Sequence, residues 1–264
     1  MYIDSHCHIN FPELAERLPE IFATMAKNEV KAALCVSVDL PDFPQVLQLA
    51  EQYPHVYASV GVHPDYADTP EPSVDELIRL ADHPKIVAIG ETGLDYYRQE
   101  GPLDELEWQR ERFRTHIRAS RATGKPLIIH TRSASEDTIR IMREEGAGPE
   151  AGGVGGVMHC FTESLEVAKA AMEMGFYISF SGIVTFKSAK ELQAVAQAVP
   201  LERMLIETDS PYLAPVPYRG KMNQPGWVKH VAEFLAQLKG VPLEEVARQT
   251  TDNFYRLFNI HEKH

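Results

Sequence analysis

His6 and His8 stand two residues apart in the segment Asp4-Ser5-His6-Cys7-His8. Residues two apart in an extended strand project from the same face, about 6.6 Å apart along the chain. Both imidazoles can therefore be turned on one cation while Cys7 faces away. An HxH pair by itself also fits two unrelated polar side chains at a strand end. The later chain changes that balance. Apolar runs stop on a metal-ligating residue type at Glu91 (IVAIGET), His130 (PLIIHTR) and His159 (GVMHCF), and Asp209 follows MLIET. Four imidazoles and two carboxylates brought together make a mixed nitrogen–oxygen metal site. Two divalent ions are expected there, with Zn, Mg, Mn or Ni compatible with the donors.

Residues so far apart in sequence meet only if a repeating fold returns the chain to one place. Short apolar or β-branched runs are Tyr2–Cys7, Ala32–Val38, Val56–Val60, Ile86–Glu91, Leu127–His130, Gly156–His159, Phe176–Phe180 and Met204–Glu207. Between them lie amphipathic stretches: Leu14–Lys27, Gln45–Gln52, Val74–Ala81, Glu105–Thr123, Ser135–Glu145, Leu165–Met174 and Lys190–Ala198. Trp227–Lys239 and Leu243–Thr250 add closing helices. Eight runs in 264 residues give roughly 33 residues per strand–helix unit, near what one βαβ repeat needs. The pattern predicts an α/β fold, a single (β/α)8 TIM barrel over residues 1–264 with extra C-terminal helices. Its C-terminal strand ends would share one mouth. A doubly wound open sheet is the competing architecture, but HCHIN occupies the place of its glycine fingerprint. The glycines from Gly152 to Gly156 match no phosphate-loop spacing and read as a turn.

The chain has 26 Lys and Arg against 38 Asp and Glu, a net charge of −12. A surface that wraps duplex nucleic acid would be basic, so a broad duplex-wrapping face is not expected. An enzyme that grips a few nucleotides beside bound cations is compatible with that charge. With 44% hydrophobic and 24% charged residues, the composition is globular. Cys7, Cys35 and Cys160 form no CxxC pair, which argues against a disulfide scaffold and a thiolate zinc ribbon. Cys160, beside a ligand on a strand, is expected to face the core. The sequence shows no leader pattern and no long apolar span, so a cytoplasmic protein without membrane partners is expected. It also lacks a GxSxG elbow, an HExxH helix and kinase signatures. His55, His83, His116, His230, His261 and His264 read as surface residues.

Eight segments together resemble a known family: YIDSHCHIN (2–10), VGVHP (60–64), GETGLDYY (90–97), KPLIIHTRSASED (125–137), MHCFTE (158–163), GFYISFSGIVTFK (175–187), LIETDSPYLAPVPYRGKMNQP (205–225) and TTDNFYRLF (250–258). They are similar to the motifs of the TatD-family metal-dependent deoxyribonucleases, amidohydrolase-type barrels, and nearest to the YcfH-like branch. Met204 stands where that family more often has Leu, an apolar exchange. The resemblance implies that His6, His8, Glu91 and Asp209 hold one metal ion, and Glu91, His130 and His159 a second. Glu91 would bridge the two, where many such barrels use a carboxylated lysine. It also implies a DNase, a 3′–5′ exonuclease that trims short single strands or 3′ ends through a metal-activated hydroxide. Asp209 would orient the water and take its proton, making Asp209 and Glu91 the catalytic pair. A monomer is expected.

Substrate contacts are expected from His63, Asp95, Tyr96, Arg132, Glu207, Arg219 and Lys221. His63 either binds a phosphate, donates a proton or packs its loop. Arg132 either forks a phosphate or pairs with an acidic neighbour. Asp95, Tyr96 and Tyr97 follow Glu91, where rings could stack unpaired bases. Glu207 either touches metal or orients a ligand, and Asp4 fixes a ligand or closes the barrel floor. Arg219 and Lys221, with Asn223, form a local basic cluster. Two other functions compete. The same metal chemistry suits an ester hydrolase such as a D-aminoacyl-tRNA deacylase. A metal-binding scaffold without turnover is the second, although a structural zinc site is usually closed by four ligands.

Overall fold

The computed structural model describes residues 1–99 and 101–261. Among them run eight strands: β1 (Tyr2–Cys7), β2 (Val30–Cys35), β3 (Val56–Val60), β4 (Ile86–Asp95), β5 (Leu127–Arg132), β6 (Gly156–Met158), β7 (Tyr177–Phe180) and β8 (Met204–Ile206). They pair in parallel, in sequence order. The ring nearly closes just beyond β8, where Asp209 N donates to His6 O (2.8 Å) and His8 N to Ser210 O (2.9 Å). This is the (β/α)8 barrel that the alternation predicts.

Helices α1 (Pro12–Ala15), α2 (Leu18–Lys27), α3 (Phe43–Gln52), α4 (Val74–Ala81), α5 (Glu107–Thr123), α6 (Ser135–Glu144), α7 (Leu165–Glu173) and α8 (Lys190–Ala198) surround it. Helices α9 (Val228–Lys239) and α10 (Leu243–Leu257) follow. The helix expected over Leu14–Lys27 is in fact two. Pro19 has no N–H for the carbonyl of Ala15, so α1 ends and α2 restarts with Pro19 in its first turn. Ser73 caps α4 and Ser164 caps α7, each accepting a backbone N–H three residues on. No helix among the described residues is long and apolar enough to cross a membrane.

From Ala32 to Cys35 the side chains of β2 alternate between two apolar clusters, as strand geometry requires. Ala33 and Cys35 join Phe113 and Ile117 of α5 in the cluster between sheet and helices. Leu34 packs with Ile3, Val87, Ile128 and Leu205, and Phe254 and Phe258 belong to the same cluster. Helix α10 thus plugs the end of the barrel opposite the strand C-termini. Asn253 fixes it there by donating to Leu201 O and Met204 O (both 2.8 Å).

Strand β4 continues four residues past its expected end at Glu91, because Gly93 and Asp95 keep pairing with His130 and Arg132 of β5. Gly93 makes this possible. Its φ is +138°, and a Cβ there would overlap the His130 carbonyl oxygen. The two strands carrying Glu91 and His130 therefore approach closely enough to share a site.

Candidate metal centre

Glu91 lies buried at the centre of a ring of imidazoles, with its two carboxylate oxygens turned to different sides. Oε1 is 3.2 Å from His6 Nε2 and 3.9 Å from His8 Nε2. Oε2 is 2.8 Å from His159 Nε2, 3.3 Å from His130 Nδ1 and 3.2 Å from His63 Nε2. Asp209 Oδ1 completes the first side, 3.5 Å from His6 Nε2 and 3.3 Å from His8 Nε2. The structure thus brings His6, His8, Glu91, His130, His159 and Asp209 into one pocket.

These spacings fit a cation shell. Donors about 2.0–2.2 Å from a shared ion in tetrahedral array stand about 3.4 Å from one another. Both ring nitrogens of His6 are buried without a hydrogen-bond partner, and a bound ion would relieve that cost at Nε2, the one facing Glu91 and Asp209. The outward nitrogens of three other rings are engaged. His8 Nδ1 donates to Val36 O (3.0 Å), His130 Nε2 to Asp95 Oδ2 (2.8 Å) and His159 Nδ1 to Glu207 Oε2 (2.8 Å). Each of those bonds leaves the inward nitrogen with its lone pair, the tautomer that metal ligation needs. His63 is wired in reverse. Its Nδ1 accepts from Asp65 N (3.0 Å), so in the neutral ring the proton sits on Nε2, facing Glu91.

Electrostatics follow from this crowding. Burial alone would raise the Glu91 carboxyl, but the charges of His159, His63 and His6 outweigh it and hold Glu91 well below the carboxylate range. Burial lowers the His130 ring, yet Asp95 and Glu91 prevail and raise it to about 9. His6 is pushed down by burial and by the neighbouring His159, which stacks on it at 3.7 Å. An arriving cation must displace the ring protons that Glu91 and Asp95 favour.

Helix α5 supports the centre through an unusual buried polar face. Gln109 accepts from Asp95 N and donates to Asp95 O (2.9 Å each). Arg112 donates to His63 O (2.9 Å) and pairs with Glu71. His116, expected at the surface, is fully buried: its Nδ1 donates to Arg112 O (2.7 Å) and its Nε2 accepts from Val62 N (2.9 Å). The satisfied ring replaces the solvent that the sequence reading gave it. Of the other histidines in that group, His261 is exposed, whereas His55, His83 and His230 are half-buried. His264 lies outside the described residues.

Several expected substrate contacts are placed elsewhere. Asp95 is buried and holds His130 rather than facing a ligand. Tyr96 is half-buried, its hydroxyl donating to Asp137 Oδ2 (2.7 Å) and accepting from Arg110 (2.7 Å), so its neighbour Tyr97 is the exposed ring. Both Glu207 oxygens are engaged, by His159 and by Cys160 N (2.8 Å). Asp4 accepts from His6 N, Thr208 N and Thr208 Oγ1, tying β1 to the segment after β8. Asn223 is buried and donates to Thr208 O and Tyr212 O instead of lining the mouth.

Arg219 lies over Phe186 (4.0 Å) and Lys221 near Tyr218 (5.8 Å). Both are exposed, and among the described residues no hydrogen bond or ion pair joins them to the ligand ring. Cys160 stands past the end of β6 with φ +45°, so strand alternation does not set its direction; its thiol is half-buried, 3.3 Å from Ser181 Oγ.

Comparison with known proteins bears on the whole chain. The family model described as TatD related DNase matches residues 3–259. The uncharacterized metal-dependent hydrolase YcfH of Escherichia coli K12 is 48% identical over 261 residues, covering 98% of this chain and 96% of that protein. The uncharacterized metal-dependent hydrolase YabD of Bacillus subtilis is 44% identical, covering 98% and 100%. Among solved structures, the TatD homolog YjjV of Escherichia coli K12 superposes with a TM-score of 0.89 at 28% identity, covering 98% of each chain.

Proposed function

The chain belongs to the family of TatD-related DNases, and on that premise we propose that it is a metal-dependent hydrolase that cleaves phosphodiester bonds of DNA. The observation that carries this reading is Glu91, whose two oxygens are divided between two sets of imidazoles. His6, His8, Glu91 and Asp209 would hold one divalent ion, and Glu91, His130 and His159 a second. Such ions supply Lewis-acid chemistry, lowering the pKa of water and neutralising phosphoryl charge.

The chain's own groups handle the protons. Asp209 faces His6 and His8 through Oδ1, which leaves Oδ2 to orient the attacking water and take its proton. His63 presents an N–H toward the same space and is the donor for the departing 3′-oxygen or its phosphate. Asp95 and Glu207 hold His130 and His159 in register, as positioning residues. Arg132, exposed two residues beyond His130, offers a guanidinium to the next phosphate. Arg219 and Lys221 lie farther along the loop after Asp209, where a longer strand would meet them. The enzyme acts as a single-domain monomer on single-stranded 3′ ends.

Turnover of a generic phosphodiester such as bis(p-nitrophenyl) phosphate, with added divalent metal, tests the reading. Hydrolysis that chelation abolishes and metal restores is the expected result. Absence of hydrolysis together with rapid turnover of a carboxylic ester would transfer the site to acyl chemistry.

A further inference from the structure

Two aromatic rings at the mouth remain open to solvent although each is anchored beside the ligand ring. Tyr97 is 62% exposed and Tyr212 is 56% exposed. Tyr97 N donates to Asp95 Oδ1 (3.0 Å), and the Arg132 guanidinium lies 3.7 Å from the ring centre, covering one face. Tyr212 N donates to Asp209 O (3.1 Å). Its ring meets Phe11 edge-on at 6.3 Å, and Phe11 in turn stacks on His8 at 4.7 Å. Arg98, exposed next to Tyr97 in sequence, adds a second guanidinium on that loop. A chain of net charge −12 thus places two arginines and two open rings around one opening.

We propose that Tyr97 and Tyr212 are the two open rings of a base-stacking subsite that receives unpaired bases at the end of a nucleic-acid strand, with Arg98 and Arg132 meeting its phosphates. The proposal rests on the nuclease reading and adds how the substrate is chosen. Ring faces stack any base, so sequence is not read. Within a duplex each base already has both faces covered by its neighbours, and entry would require unstacking. A small ester without a planar base would gain nothing from either ring.

The experiment is fluorescence anisotropy with a 5′-fluorescein hexathymidylate whose phosphorothioate linkages resist hydrolysis, titrated with the metal-loaded enzyme. Y97A and Y212A should each weaken binding about 5- to 150-fold, the range for one stacked base. Y97F and Y212F, which keep the ring, should bind like the wild type. A hexamer of abasic sites should bind weakly and should not respond to either alanine change. Both side chains are exposed, so their removal leaves folding intact. Unchanged affinity in Y97A and Y212A, while the wild type still shortens single-stranded DNA, overturns the subsite and leaves the nuclease reading standing. A wild-type enzyme that cleaves no DNA strand overturns that reading, and the subsite with it.

Discussion

Glu91 sends one carboxylate oxygen to His6 and His8 and the other to His63, His130 and His159. Glu91→Ala should therefore empty both metal positions, read as metal equivalents per chain after dialysis; one full equivalent retained would remove the bridging role. Asp209→Asn keeps one ligand oxygen but cannot take a proton. Its kcat should fall by about 10²–10⁴, well beyond any loss of metal affinity, whereas near-normal kcat would assign the proton to another group. At this scale the sequence shows which residue types end the strands, since an apolar run halted by His or Glu is visible as text. It does not show which nitrogen faces inward. That depends on partners such as Val36 O and Asp65 N, whose positions only the folded chain defines. Nor does it show that Tyr96 is tied to Asp137 while Tyr97, one residue on, is open.

The second ring of support lies on α5. Gln109, Arg112, Phe113, His116, Ile117 and Ser120 share one buried helix face at three- and four-residue spacing. The spacing was in the sequence, but a hydrophobic pattern does not count Gln, Arg and His, and so places them outside. His116 makes the consequence measurable. Burial lowers its folded pKa to about 4 from the ordinary 6.5, and its Nε2 already accepts the Val62 N–H. Above pH 6.5 neither the folded nor the unfolded state takes this proton. Between 6.5 and 4 only the unfolded state does, so stability is lost as the pH drops, by about 1.4 kcal/mol per unit. His116→Gln should flatten that part of the slope in urea unfolding between pH 7 and pH 5. An unchanged slope would mean that other groups carry it.

Across the whole molecule, the regular alternation of apolar runs and amphipathic stretches was enough to read the barrel. Its closure was not readable, because it is made beyond β8 by backbone bonds between the segment holding Asp209 and the strand holding His6. The same contact that nearly closes the cylinder brings His6 and Asp209, the first and last candidate ligands, together. With a net charge of −12, the protein can neutralise only a few phosphates. Single-strand affinity should fall gently with salt, roughly −0.7 in log–log slope per contacted phosphate, so about −2 for three contacts. A slope several times steeper would reveal a larger basic surface than the mouth provides. The most direct measurement is a 5′-labelled single strand, incubated with the enzyme and divalent metal and resolved at single-nucleotide steps. The expected result is a ladder shortening from the 3′ end, lost with chelator and in the H6A/H8A double variant. Intact DNA under every common divalent metal, from an enzyme that rapidly hydrolyses a carboxylic ester, would contradict it.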